Sequence, residues 1–528
     1  MTVISATGNQ TLNTLVTSTK SLTAVTTAAS QQQASTAQST TVMIGQADTT
    51  SPVYNITKPA LVWERSSSDL MSSKLASNFS HSGNAARFTG LGAALLERFT
   101  TDSSSYSQSV MKQTSAQSTG SVANVAAQTQ LHTKADNQIN LSIKTASGAL
   151  VDITLGSDDD GLGVQVNVSK GTLSDTDRKA LAGLAEGFQK AIDGLTAQPP
   201  KLDLSGLTKF DTSVLSSVDL HATLGITNTQ TLDFHADANT RSVKSTGVAG
   251  TVDISVDMSK RALLGTESQQ KQALNSYLKQ ISSAGNRGNA DESLMNMFKE
   301  AFTALNSNYG ETATTYKSGG AEPVYFSLTK TDKNMMTGLA DFTASVSQTP
   351  VDSTNPMRPD ETDTFSYQVS QTSTITGTGT QDRNITQKQQ SHLVASYHAS
   401  LTPGLKLNLT SDRNSQNYLY YQIDDKAEST TSVQYHKGAL MSATVAQSAS
   451  NSTHIQKYVK GALESDITTP EITSKTTDLL GTLQSAWENN APRMSFRDYL
   501  NHQTLPDLSG MVLMESDAAQ LKNGPSLV

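Results

Sequence analysis

The chain has no cysteine among its 528 residues, which excludes disulfides, thiol catalysis and thiolate metal centres. It has no run approaching ~18 consecutive apolar residues, the length a membrane-spanning helix requires. The first lysine is Lys20, and no apolar block of ~7–15 residues precedes Ala34, so no secretory signal is expected. Aromatics are scarce at 5% and charged residues stand at 16%. A net charge of -8 is mild for this length. It offers no basic stripe for phosphates and argues against a general nucleic-acid binder.

What is abundant is serine and threonine, about 136 residues together. Apolar residues reach roughly 40%, below the usual ~45–50%. A polar-surfaced protein with some unburied sequence is expected, long enough for two or three ordinary cores.

Residues 1–55 are Thr/Ser/Gln/Ala-rich and nearly uncharged, and read as a disordered leader. Residues 56–135 read as one helix followed by a polar linker. The helix spans 83–100, with Phe88, Leu91, Leu95, Leu96 and Phe99 on one face. From Asn137 the period changes to two. Ile139, Leu141 and Ile143 begin a three-stranded meander with Val151, Ile153, Leu155, Val164, Val166 and Val168. A capping box of Ser174 and Asp177 opens a helix carrying Leu181, Leu184, Phe188, Ile192 and Leu195. A second such unit follows, with strands at 232–236 and 252–258 and helices begun at Thr266 and Asn289. The span 136–345 is therefore an α+β domain, for which a degenerate ββα repeat is one reading.

Residues 346–362 read as a Pro-containing linker. Residues 363–503 read as antiparallel strands at 364–377, 389–400, 404–411, 417–424, 430–437 and 439–448, closed by a helix over 470–488. That helix would bury Ile472, Leu479, Leu483 and Trp487 against the sheet. Residues 504–528 read as a polar tail. Meanders alternating with grouped helices indicate an α+β fold with antiparallel sheets. The polar partners along each strand imply one hydrated sheet face.

Chemical motifs are few. Gly90-Leu91-Gly92 matches two glycines of a dinucleotide fingerprint but sits in a helix and lacks the third. Asp158, Asp160 and Gly161 fit the middle of a calcium loop whose anchoring positions hold Gly156 and Asn167, so a hairpin turn is the better reading. There is no Gly-x-Ser-x-Gly elbow and no His-Glu-x-x-His. One constellation remains. Asp233, His235 and Asp237 share a strand face, as do Asp253 and Asp257. If these strands pair, the five side chains form a patch able to take a divalent metal. The competing reading, a solvated sheet face, is the simpler one. His392 and His398 share a face in the same way.

Four strings carry a resemblance. They are Phe88-Thr89-Gly90-Leu91-Gly92-Ala93-Ala94-Leu95-Leu96, Asp158-Asp159-Asp160-Gly161-Leu162, Phe188-Gln189-Lys190-Ala191-Ile192-Asp193-Gly194-Leu195 and Leu202-Asp203-Leu204-Ser205-Gly206-Leu207. They resemble a family of uncharacterised, Ser/Thr-rich proteobacterial proteins, chiefly of Pseudomonas-like bacteria, over roughly residues 60–220. Similar-looking chains are sometimes labelled lactate dehydrogenase. The absence of an intact nicotinamide fingerprint disfavours that activity here.

Three functional expectations follow. The first is a non-enzymatic bacterial protein, exported without a classical signal or envelope-associated, that presents polar β surfaces to a protein or glycan partner. The second is a cytoplasmic protein of another role. The third is a metal-dependent hydrolase built on Asp233, His235, Asp237, Asp253 and Asp257.

Overall fold

The period-two segments pair into one antiparallel sheet of fifteen strands in a computed structural model, which describes residues 60–66, 68–113, 122–310, 315–318, 323–351, 354–502 and 505–523. The leader expected over 1–55 lies outside these residues. Strand β1 (Leu61–Trp63), helices α1 (Leu70–Phe79), α2 (Asn84–Arg87) and α3 (Leu91–Glu97), β2 (Tyr106–Lys112) and α4 (Val122–Thr133) come first. The expected meander is β3 (Asn137–Thr145), β4 (Leu150–Asp158) and β5 (Gly161–Ser169), followed by α5 (Asp175–Gly183) and α6 (Ala185–Thr196). A four-stranded meander, β6 (Leu215–Leu224), β7 (Gln230–Asp237), β8 (Thr240–Gly247) and β9 (Gly250–Asp257), leads into α7 (Glu267–Arg287) and α8 (Glu292–Leu305).

A small ribbon of β10 (Thr315–Lys317) and β11 (Tyr325–Ser327) precedes α9 (Lys330–Asn334) and β12 (Asp341–Gln348). Five long strands complete the sheet: β13 (Thr364–Gly379), β14 (Asp382–Ser400), β15 (Tyr418–His436), β16 (Ala439–Val459) and β17 (Ala462–Asp478). Helices α10 (Leu479–Asn490), α11 (Phe496–His502), α12 (Ser509–Val512) and α13 (Ala518–Asn523) end the chain's described part. The order across the sheet is β1-β2-β5-β4-β3-β6-β7-β8-β9-β12-β13-β14-β15-β16-β17. The fold is α+β, as expected.

One face of the sheet is apolar from β2 to β13. Its alternating Ile, Leu and Val side chains merge with Phe88, Leu91, Phe188, Ile192, Tyr277, Phe298 and Phe302 of the covering helices in one core. The capping box works as read: Ser174 Oγ accepts the Asp177 N–H, and the Asp177 carboxylate accepts the Ser174 N–H. Thr266 caps α7 through the Gln269 N–H.

Several expected elements differ. The helix over 83–100 is broken: Gly90 adopts a left-handed φ of 67° and α3 starts after it. Residues 101–135 are no mere linker, since they hold β2 and α4. Two further strands join the expected ones: β8 has Val243 among Ser, Thr, Lys and Arg, whereas β6 carries a clear alternation of Val218, Leu220, Ala222 and Leu224. The segments 417–424 and 430–437 are one strand, β15, and 404–411 forms no strand. Strands β12 and β13 flank the expected 346–362 linker yet pair directly from Phe342–Gln371 to Ser347–Ser366. The tail after 504 contains α12 and α13, with Leu508, Val512, Met514, Ala518 and Leu521 buried.

The largest correction concerns 470–488. Residues up to Asp478 form β17, the edge strand, and Ile472 is 75% exposed. The Thr- and Ile-rich sequence suits a strand better than a helix. Pro470 is compatible because prolines in sheets are confined to edges. Only Leu479 and Leu483 of the expected stripe reach a core, that of β13–β16, while Trp487 is half-buried.

Candidate functional site

The second face of the sheet points outward and is polar almost throughout. Antiparallel register places side chains in rows across strands, because paired residues lie on one face. One row reads Asn140, His221, Asp233, Lys244, Asp253, Ser345, Gln368, His392, Lys426 and Ser450. A parallel row contains Ser142, Asp219, His235, Ser242, Ser255, Thr343, Ser370, Gln390, Glu428 and Ser448. Two shallow troughs follow these rows. One of about 390 Å³ runs from β3 to β9, and one of about 810 Å³ from β9 to β17. They meet at Asp253. Among outward-pointing residues of the larger trough, Ile472 is the apolar exception.

The charges on this face are neutralised locally. His221 Nδ1 lies 2.6 Å from Asp233, and His235 Nδ1 lies 2.6 Å from Asp219. Lys388 pairs with Glu428 at 3.1 Å, and His392 with Asp424 at 2.8 Å. Burial opposes a charge on His235, but hydrogen bonds and charges from Asp219 and Asp237 outweigh it and raise its pKa. Asp424 is held below the usual carboxylate range: His392 and Lys426 overcome the upward push of burial.

The five expected metal-site residues do not converge. Strand β8 lies between β7 and β9, so Asp233, His235 and Asp237 are separated from Asp253 and Asp257. His235 directs its second nitrogen to Asp237 at 3.4 Å. Asp253 faces Lys244 at 4.0 Å, and Asp257 accepts the Ser259 N–H. Among the described residues, no three His, Asp or Glu side chains are grouped so as to hold a metal ion. The true partners, Asp219 and His221, were missed with β6; the alternation Val218, Leu220, Ala222 was the signal available.

Two clusters bound the open part of this face. At the β2–β5–β4 end, α4 lies on the outward side over Gly156, Gly161 and Gly163. A Cβ at Gly156 would fall 1.9 Å from the Leu131 carbonyl oxygen, so only glycine lets the helix settle there. His132 of α4 meets Glu64 at 2.8 Å and Ser107 at 3.2 Å. These three residue types invite comparison with a hydrolytic triad, but the wiring differs. Carboxylate and hydroxyl share Nε2, and the Glu64 carboxylate also accepts from Ser107, so no nitrogen is oriented to activate the serine. Burial pushes Glu64 upward, and hydrogen bonds from His132, Ser107 and Ser109 bring it down to about 2.

At the far end, residues 354–363 fold over β14 and β15. His398, expected to be solvated like His392, is buried here, so that reading is corrected. Its Nδ1 lies 2.6 Å from Asp363 and its Nε2 3.1 Å from Glu361. Tyr418 donates its hydroxyl to Glu361 at 2.6 Å, and Asn355 donates to that hydroxyl at 2.9 Å. Tyr418 stacks on Tyr458, and the Arg358 guanidinium lies 4.1 Å over the Tyr458 ring. Burial disfavours the imidazolium, but the two carboxylates outweigh it and raise His398 to about 9.

The remaining motifs are structural. A Cβ at Gly92 would meet Ile192 at 2.4 Å, so this glycine serves the packing of α3 on α6. Asp158 and Gly161 flank the β4–β5 turn, whose carbonyls receive the Arg87 guanidinium. No family model, curated protein or solved structure matches the chain. Among the described residues, no helix is long and apolar enough to cross a membrane.

Proposed function

We propose that this is a non-enzymatic binding protein whose outward sheet face receives a protein or glycan partner, with an extended glycan the better fit. The observation that carries this reading is the pair of contiguous troughs from β3 to β17, lined by hydroxyls, carboxamides, imidazoles and paired charges. Such a surface offers dense donors and acceptors at the strand spacing of roughly 4.8 Å. Protein interfaces draw most of their energy from desolvated aromatic and arginine anchors, which this lining lacks. A hydroxyl-rich chain exchanges its water for these polar groups without needing such anchors. Presentation outside the cytoplasm, by a route that needs no disulfides, belongs to the same reading.

The test is a glycan array probed with the full chain, followed by calorimetry on any hit. Gln368→Ala, Gln390→Ala and His392→Ala together should weaken binding at least tenfold and leave the melting temperature unchanged. Binding that ignores these substitutions, or no glycan bound at all, would remove the reading.

A further inference from the structure

The long strands β13–β16 break the expected pattern on their inner face, where an apolar row should stand. Gln389 of β14 is fully buried, and Gln447 and Asn451 of β16 occupy matching inward positions. Burying a carboxamide without partners is costly. Each of these three finds its partners in the backbone of the C-terminal segment. Gln389 Nε2 donates to the Val512 carbonyl at 2.6 Å, and its Oε1 accepts the Met514 N–H at 3.1 Å. Gln447 Nε2 donates to the Leu513 carbonyl at 3.2 Å, and its Oε1 accepts the Glu515 N–H at 3.2 Å. Asn451 Nδ2 donates to the Ser516 carbonyl at 3.2 Å, and its Oδ1 accepts the Ala518 N–H at 2.7 Å.

The geometry repeats. Each carboxamide brackets one residue, taking the carbonyl before it and the N–H after it. A residue in a neighbouring parallel strand makes this same pair of bonds. Residues 513–517 belong to no strand, so these side chains replace a ladder. From the other side, Gln280 of α7 donates to the Met514 carbonyl at 2.8 Å. The contacts read backbone and are indifferent to side-chain identity. Val512, Met514 and Ala518 supply buried anchors beside them. A cleft of about 1040 Å³ between α7 and this segment keeps one flank open, with Lys279, Ser283, Glu515 and Asp517 on its walls.

We infer that the inner face of β14–β16 is a peptide-binding site, read through Gln389, Gln447 and Asn451, and that residues 511–518 are a peptide ligand it holds in cis. The ligand class is a peptide with apolar residues where Val512 and Met514 stand and a small one where Ala518 stands, the stretch between being non-helical as 513–517 is. The occupant in trans is the same segment of a second copy, whose exchange would join two chains by a swap. This site is independent of the outward face proposed above.

The experiment uses the full chain with a specific protease site inserted between His502 and Leu505, cut after folding. The fragment should co-elute with the body. Excess labelled synthetic peptide 505–523 should replace it while the body's circular dichroism stays unchanged. A peptide N-methylated at Met514 and Glu515 loses the two N–H groups read by Gln389 and Gln447, and should compete at least tenfold less well. A peptide with Gln520→Ala and Lys522→Ala, both exposed positions, should compete normally. In a chain carrying Gln447→Ala and Asn451→Ala, the labelled peptide should leave at least tenfold faster. A fragment that leaves only as the body unfolds, or an N-methylated peptide that competes equally, overturns the inference and makes the segment an ordinary part of the core.

Discussion

His398 Nδ1 stands 2.6 Å from Asp363 Oδ1, on the outward sheet face beneath residues 354–363. The pair ties residues 354–363 to the tip of β14. The folded pKa of His398 is raised to about 9 against an ordinary 6.5. A raised pKa means the stabilisation is complete below pH 6.5 and is lost as pH climbs through about 9. Glu361, whose pKa is lowered, adds the opposite limb: its stabilisation is present above its ordinary value and fades under acid. Unfolding free energies from denaturant titrations should therefore fall between pH 7 and 9.5, by on the order of 2 kcal/mol. His398→Gln should flatten that dependence. A mutant with the wild-type alkaline slope would show that the imidazole is not responsible.

Arg383 and Asp332 form an ion pair at 2.7 Å with both side chains almost fully buried. Asp332 also closes the capping box of α9, and the Arg383 guanidinium lies 3.7 Å over the Tyr435 ring. Removing one partner leaves an uncompensated charge. Asp332→Ala should cost about 3–5 kcal/mol in urea unfolding. The double change Asp332→Ala with Arg383→Met should recover part of that loss. No recovery would indicate that the cap, and not the stranded charge, dominates.

Substituting Gly156 tests the seat of α4. Alanine there should push the helix away from β4 and destabilise the fold by about 1–3 kcal/mol, since the added methyl meets backbone. Amide exchange in 122–133 should accelerate together with the lower midpoint. Unchanged protection over α4 would contradict the packing described.

Along α10, the two apolar anchors should separate clearly. Leu483 is fully buried, so Leu483→Ala should cost about 2–5 kcal/mol. Trp487 keeps one side in water and donates its indole N–H to the Met494 carbonyl at 2.8 Å. Trp487→Ala should cost only about 1 kcal/mol, near the worth of that bond and partial burial. Equal losses in thermal or chemical denaturation would mean that the indole carries more of the packing than its exposure indicates.

Local pattern determined much of this protein. The strict alternation in β3, β4 and β5, the helix spacing of Phe188, Ile192 and Leu195, and the capping residues Ser174 and Thr266 are each properties of a short window. They establish an α+β fold with antiparallel strands before any contact is known. Local pattern also identifies which residues share a strand face: Asp233, His235 and Asp237 on one strand, His392 and His398 on another.

Only the tertiary structure decided what covers a face and which strand lies beside which. Strand β8 separates β7 from β9 and dissolves the expected acidic patch, because pairing order is a long-range choice that no window contains. His392 and His398 have the same local parity, yet one faces solvent and the other lies beneath a distant loop. Gln389 and Gln447 look like solvated residues because glutamine normally is. Gln389 is fully buried and Gln447 half-buried because a segment more than sixty residues beyond Gln447 brings the backbone groups that satisfy them. A polar side chain's burial is set by the partner it meets, and that partner is supplied by the fold.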